Sequence, residues 1–214
     1  MNYVMIFLEI LGTVAFSVSG AIEAMKKGMD MLGVLVLGLV TAVGGGIFRD
    51  IIIGQLPPAA FKDARNALIA ILAAFTAFIV GAILSKREHT KQSVIWNYVL
   101  LVSDAIGLGA FTVLGIRYVT EQTAYDNTAM LLFVGVVTGV GGGIIRDIFA
   151  GNVPYIFRKH VYATASIAGA VSYLLLEKTG YPGLASIISV FIVLILRLLA
   201  AKFQWNLPRV HLHE

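Results

Sequence analysis

Residues 38–57 read GLVTAVGGGIFRDIIIGQLP, and residues 135–154 read GVVTGVGGGIIRDIFAGNVP. The second stretch follows the first at a constant offset of 97, and 13 of the 20 positions are identical. The shared positions include three consecutive glycines, an Arg-Asp pair, a later glycine and a proline. Each glycine costs about 1 kcal/mol against alanine inside a helix. Three of them followed by two charges, placed twice in otherwise apolar sequence, is therefore a feature that needs a reason.

The surrounding composition supplies the frame. The chain has 214 residues, 58% of them hydrophobic and only 13% charged, with a mean hydropathy of +0.88. That is too apolar for a soluble domain. Seven segments approach the ~20 apolar residues that cross a bilayer core: residues 4–25, 31–53, 64–84, 95–118 and 129–150, a sixth opened by Arg158-Lys159-His160 and ending near Glu177-Lys178, and 184–203. These runs lack the alternation of barrel strands, and a helix satisfies its own backbone in lipid, so the class is all-α and integral to a membrane. In the first segment the positive charge, Lys26-Lys27, follows the apolar run rather than preceding it. A retained span with its N-terminus outside is expected, not a cleaved signal. Without cysteine there is no disulfide or thiolate metal site. The net charge of +4 is spread over the links, a pattern of membrane topology rather than of a nucleic-acid surface.

The duplication extends beyond the glycines. Glu9, Gly12, Phe16, Val18 and Gly20 align with Asp104, Gly107, Phe111, Val113 and Gly115 at an offset of 95, and Lys62 with Lys159 at 97. The unit is three spans, and three is odd, so the second copy enters the membrane from the opposite face, as an inverted repeat. The expected organisation is residues 1–92 as the first three-helix unit, 93–179 as the second, and 180–214 as a seventh helix with a tail. Nine basic residues (Lys26, Lys27, Lys86, Arg87, Lys91, Arg158, Lys159, Lys202, Arg209) fall on one side of this scheme and four (Lys62, Arg65, Arg117, Lys178) on the other. The first group is then cytoplasmic, with the N-terminus outside and the C-terminus inside. Trp96 and Trp205 fall at cytoplasmic ends, as interfacial tryptophans do.

The triplets admit two readings. As packing, Gly38, Ala42 and Gly46 form a row of small residues matched by Gly135, Gly139 and Gly143, which lets helices approach closely. As a device, Gly44, Gly45, Gly46 and Gly141, Gly142, Gly143 break or bend their helices near the midplane. Thr41 and Thr138 are then the nearest hydroxyls to a path lined by freed backbone. Arg49-Asp50 and Arg146-Asp147 lie inside spans, where an unpaired charge costs at least about 2.5–3.5 kcal/mol. Neighbours in sequence point about 100° apart on a helix, so each arginine is expected to pair with a carboxylate on another span, such as Glu9 or Asp104. The structural alternative for every one of these charges is a buried salt bridge. Arg197 is expected to snorkel to the cytoplasmic face.

This doubled GGG-x-x-R-D-x-x-x-G-x-x-P signature on three-plus-three-plus-one spans resembles the prokaryotic branch of the trimeric intracellular cation (TRIC) channels, whose domain is also labelled a glycine transporter. The resemblance runs from about residue 8 to residue 203. It implies a homotrimer in the cell membrane with a potassium-permeable pore in each subunit, lined by two glycine-broken helices. The pore and gate residues are then the two triplets with Thr41 and Thr138, and Arg49, Asp50, Arg146, Asp147 and Asp104 are pore or tie residues. It implies no cofactor and no resident metal, and partners limited to monovalent cations, membrane lipid and further copies of the chain. No TVGYG stretch is present, so strong selectivity against sodium is not expected. The histidines form no HExxH pattern and there is no G-x-S-x-G or P-loop, which argues against an enzyme. The alternative to a channel is a secondary transporter of a small solute such as glycine. The breaks, almost purely glycine, favour passage of a small ion.

Overall fold

The computed structural model describes residues 3–84, 89–123, 127–158 and 161–205, without the side chains of residues 89–93 and 158. All regular structure among the described residues is helical. The helices are α1 (Tyr3–Lys26), α2 (Met31–Ile52), α3 (Ala59–Lys62), α4 (Arg65–Leu84), α5 (His89–Gln122), α6 (Thr128–Phe149), α7 (Tyr155–Arg158), α8 (Ala163–Glu177) and α9 (Pro182–Lys202). Six of them (α1, α2, α4, α5, α6 and α9) are long and apolar enough to cross a membrane. The sixth expected span is the short one. α8 has 15 residues, about 22 Å at 1.5 Å per residue, less than the ~30 Å hydrocarbon core. Of the residues expected to open it, Lys159 and His160 lie outside the described residues. α5 begins at His89, earlier than the apolar run alone indicates.

The two glycine-rich helices start and stop by the same chemistry. Asp30 caps α2 by accepting from the Gly33 amide at 2.8 Å, and Asn127 caps α6 by accepting from the Ala129 amide at 2.9 Å. At the other end Gly54 and Gly151 adopt positive φ, +72° and +68°. The following amides, of Gln55 and Asn152, each reach back 2.8 Å to the carbonyls of Asp50 and Asp147. This is the left-handed glycine ending, which satisfies carbonyls a helix would otherwise leave open.

α1 packs against α2 and α4, and α5 against α6 and α8, while α1 meets α5 and α2 meets α6. Both cross-pairs run antiparallel. Met5 and Leu8 near the start of α1 share a cluster with Val113, Ile116 and Val119 late in α5. Further along α1, Phe16 stacks on Phe111, ring centres 5.3 Å apart. α9 packs chiefly on α5 and α8, in the second half of the chain.

The expected break at the triplets does not occur. α2 and α6 are continuous through Gly44–Gly45–Gly46 and Gly141–Gly142–Gly143. Helical backbone is open to glycine at a modest cost, and here the missing side chains admit a neighbouring helix, so the glycines are used for close approach.

Candidate functional site

The crossing of α2 and α6 is backbone against backbone. A Cβ built on Gly45 would collide with the Thr138 carbonyl oxygen, and one on Gly142 with the Thr41 carbonyl oxygen. These positions are related by the offset of 97, so the crossing is locally two-fold. Gly141 lies against Gly45, with a Cβ there only 3.0 Å from the Gly45 Cα. The seam is thus one position away from the expected small-residue row. Gly38 instead faces Ala74 of α4 and Ser17 of α1, and Gly139 faces Thr112 and Leu108 of α5. Thr41 and Thr138 do not offer hydroxyls to a path in this structure. Both are fully buried, and each Oγ1 donates to a carbonyl one turn back, Leu37 and Val134. A threonine in a helix has this local acceptor always within reach.

Each Arg-Asp pair is joined internally, against the expectation from helical geometry. Arg49 Nε donates to Asp50 Oδ1 at 2.9 Å and its Nη2 lies 2.8 Å from the same oxygen. Arg146 repeats both contacts with Asp147 Oδ1 at 2.9 and 2.8 Å. The 100° separation is overcome because the arginine stem is long and flexible enough to turn its planar fork back. The second carboxylate oxygens accept from the next elements: Asp50 Oδ2 from the Ala59 amide at 2.7 Å, and Asp147 Oδ2 from the Tyr155 amide at 2.8 Å. The Arg-Asp-x-x-x-Gly-x-x-Pro spacing therefore ties the end of each glycine-rich helix to the one-turn helix after it.

Around these matched pairs the two halves differ. In the first half a polar cavity of about 160 Å³ is lined by Glu9, Gly46, Arg49, Asp50, Asn66 and Tyr118, among others. Glu9 does not reach Arg49. Its Oε1 accepts from Asn66 Nδ2 at 2.6 Å and its Oε2 lies 3.4 Å from the half-exposed Arg65. Arg49 covers the Tyr118 ring, 3.5 Å from its centre. In the second half the same space is filled. Asp104, the counterpart of Glu9, is fully buried and accepts from Arg146 Nη1 at 2.6 Å and from Arg197 Nη2 at 3.2 Å. Tyr162 donates to it at 3.2 Å. Gly143, counterpart of the cavity-lining Gly46, has the Tyr162 hydroxyl against it. Arg146 also donates to Ser19 on α1. The expected Arg146–Asp104 pairing is present, whereas the corresponding pairing of Arg49 with Glu9 is not.

Arg197 does not snorkel. It is 2% exposed, lies 4.6 Å over the Tyr162 ring and donates to the Val161 carbonyl at 3.3 Å. A carboxylate with two oxygens inside an apolar core draws in a second cation. Sequence reading placed Arg197 elsewhere and missed Tyr162, Ser19 and the pair Asn152–Glu23, whose amide and carboxylate meet at 2.6 Å. The repeat carried a signal for the last: Gln55, at the Asn152 position, accepts from Tyr118, at the Glu23 position, at 3.1 Å. Among the described residues no cluster of three or more potential metal ligands is present.

Fold and site together define an all-helical integral membrane protein, with its buried charges gathered at two related places beside the crossing of two glycine-rich helices. The chain belongs to the family described as Glycine transporter, whose model matches residues 6–82 and 101–178, once on each half. It is 37% identical over 204 residues to a UPF0126 membrane protein of Vibrio cholerae, covering 94% of this chain and 80% of the relative. It is 36% identical over 210 residues to the UPF0126 inner membrane protein YadS of Escherichia coli, covering 97% of each. Among solved structures it is similar to a TRIC cation channel described in a study of conductance, at 38% identity, TM-score 0.80 and full coverage of both chains. It is also similar to the TRIC trimeric intracellular cation channel orthologue of Rhodobacter sphaeroides, at 30% identity and TM-score 0.84, covering 95% of this chain and all of that one.

Proposed function

We propose that this protein is a cation channel, potassium-permeable and homotrimeric, with one permeation path in each subunit along the crossing of α2 and α6. The observation that carries the reading is the polar cavity on the first half. It holds three carboxylates (Glu9, Asp50, Asp63) against two guanidiniums (Arg49, Arg65), so its field favours a cation, and it reaches Ala42, Val43 and Gly46 on α2, beside the crossing glycine Gly45. Its place in a fold so similar to TRIC cation channels supports the same activity here. The finer architecture belongs to this proposal: two inverted three-helix units, within residues 1–92 and 93–179, and a seventh helix with its tail in 180–214. The N-terminus and the first-half cavity face outside, and the C-terminus lies in the cytoplasm. No cofactor is needed, and lipid surrounds the trimer. The test is purified protein in planar bilayers with symmetrical KCl. Unitary currents that reverse at the cation potential in a KCl gradient support the reading. Silent bilayers together with gradient-driven uptake of glycine into liposomes would replace it with the transporter.

A further inference from the structure

The two halves carry the same motif, yet only the second pairs its arginine with the carboxylate on the span before it. Arg49 is equivalent to Arg146 and Glu9 to Asp104. Arg146 reaches Asp104 at 2.6 Å. Glu9 is one methylene longer than Asp104, so Arg49 has the reach for the same contact, and both side chains line one cavity. Arg49 is instead drawn aside. Its Cζ lies 3.5 Å from the centre of the Tyr118 ring, well within cation–π range, and among the described residues its one ion pair is with Asp50. In the second half the Tyr118 position is Glu23, which has no ring to offer. The ring beneath Arg146 is Tyr155, and it stands 5.1 Å from the Arg146 Cζ.

We propose that the Tyr118 ring holds the first half open: it parks the Arg49 guanidinium on its face, off Glu9, and without the ring Arg49 crosses the cavity to Glu9 as Arg146 crosses to Asp104. The inference rests on the channel reading above. Tyr118 is itself held at its far end. Its hydroxyl donates to Gln55 Oε1 at 3.1 Å, and the Gln55 amide donates to the Asp50 carbonyl at 2.8 Å. The tyrosine thus makes the tie that Glu23 makes to Asn152 in the other half, and adds an aromatic face to it. The present partners of Glu9 do not fill the space. Asn66 takes one oxygen at 2.6 Å, and Arg65, at the position of Tyr162, is half-exposed and 3.4 Å from the other. An Arg49–Glu9 pair would fill part of a cavity of only about 160 Å³ and neutralise one of the carboxylates that attract a cation there. Tyr118 is a positioning residue, acting on the ion through Arg49.

The chain has no cysteine, so a single thiol can report on the cavity. Val43→Cys places one on the cavity wall of α2, to be challenged in nanodiscs with a water-soluble cationic methanethiosulfonate reagent. Tyr118→Leu is expected to slow its labelling at least tenfold, and to lower potassium flux several-fold in protein without the reporter. Tyr118→Phe keeps the ring but not the hydroxyl, and should label at close to the parent rate. Tyr118→Leu/Glu9→Gln removes the carboxylate that draws Arg49 across, and should regain fast labelling. Unchanged labelling in Tyr118→Leu overturns the proposal. So does slow labelling in Tyr118→Phe, which would assign the effect to the Gln55 tie, or in the Glu9→Gln pair. Tyr118→Met replaces the leucine variant if that one does not fold. Loss of the folded oligomer in both also overturns the proposal, since a ring that the fold requires is a core residue. The expected labelling pattern with no cation flux from any form would instead refute the channel reading and leave the role of Tyr118 standing.

Discussion

The sharpest test of the crossing contrasts two adjacent glycines. Gly45→Ala puts a Cβ against the Thr138 carbonyl, well inside the 3.0 Å that real Cβ atoms keep, whereas a Cβ on Gly46 meets nothing nearer than an Arg49 nitrogen at 3.8 Å. Both substitutions gain the same ~1 kcal/mol of helix propensity, so their difference isolates the packing. The obstructing atom at Gly45 is backbone and cannot rotate aside. α2 must move off α6 by more than the interval between 3.0 and 3.4 Å, where ordinary contact begins. Overpacking of that kind costs about 1–3 kcal/mol. Gly46→Ala is therefore expected to melt above the wild type and Gly45→Ala below the Gly46 variant by several degrees, measured by intrinsic fluorescence in detergent. Gly142→Ala should match Gly45→Ala, being its two-fold equivalent. The pair Gly45→Ala/Gly142→Ala should cost less than the two separately, because one separation of the helices relieves both collisions. Equal melting shifts for Gly45→Ala and Gly46→Ala would refute the close-packed crossing.

Asp147→Asn should destabilise more than Asp50→Asn. The first removes a charge from a fully buried cluster with two arginines, at about 3–5 kcal/mol, and the second does so beside a cavity that water can enter; thermal melts of the two purified variants decide the order. Glu9→Gln keeps the Asn66 hydrogen bond but removes charge from the cavity, so cation-over-anion preference should fall with little change in melting, read from reversal potentials in a KCl gradient. A preference equal to the wild type's would remove Glu9 from the path. Cysteines at Ser93 and Gln122 should label from opposite sides of intact cells, with Ser93 cytoplasmic; labelling of both from one side would end the inverted-repeat topology.

Much of the fold was legible because membrane helices announce themselves by length and apolarity, and because duplication makes each half a check on the other. Asp30 and Asn127, Gly54 and Gly151, and Gln55 and Asn152 occupy matching structural roles at the same offset. Of the two readings of the triplets, packing fits the structure and the break does not, for a physical reason. Gly44 to Gly46 lower helix propensity, which says that a break is cheap; the structure instead uses the missing Cβ atoms for the α2–α6 contact, a tertiary gain that propensity does not contain. The Arg49–Asp50 pairing was missed because Cα directions ignore how far an arginine bends. Arg197 was placed at the cytoplasmic face because it lies outside the repeat, so no partner position pointed to Asp104.

That exception carries the mechanism. A strictly two-fold arrangement would give Glu9 and Asp104 the same surroundings, and the two mouths would be equally open or equally shut. Equivalent sites related by an antiparallel axis can exchange states, which is the geometry of alternating access. Here the exchange lacks a partner: the cation that closes Asp104 comes from α9, which packs chiefly on α5 and α8. In the first half the cation at Glu9 is the half-exposed Arg65 at the start of α4, 3.4 Å away, which leaves the cavity unfilled. That asymmetry, made by Tyr162 before α8 and Arg197 on α9, supports the proposed channel over a transporter, whose two sites must exchange states.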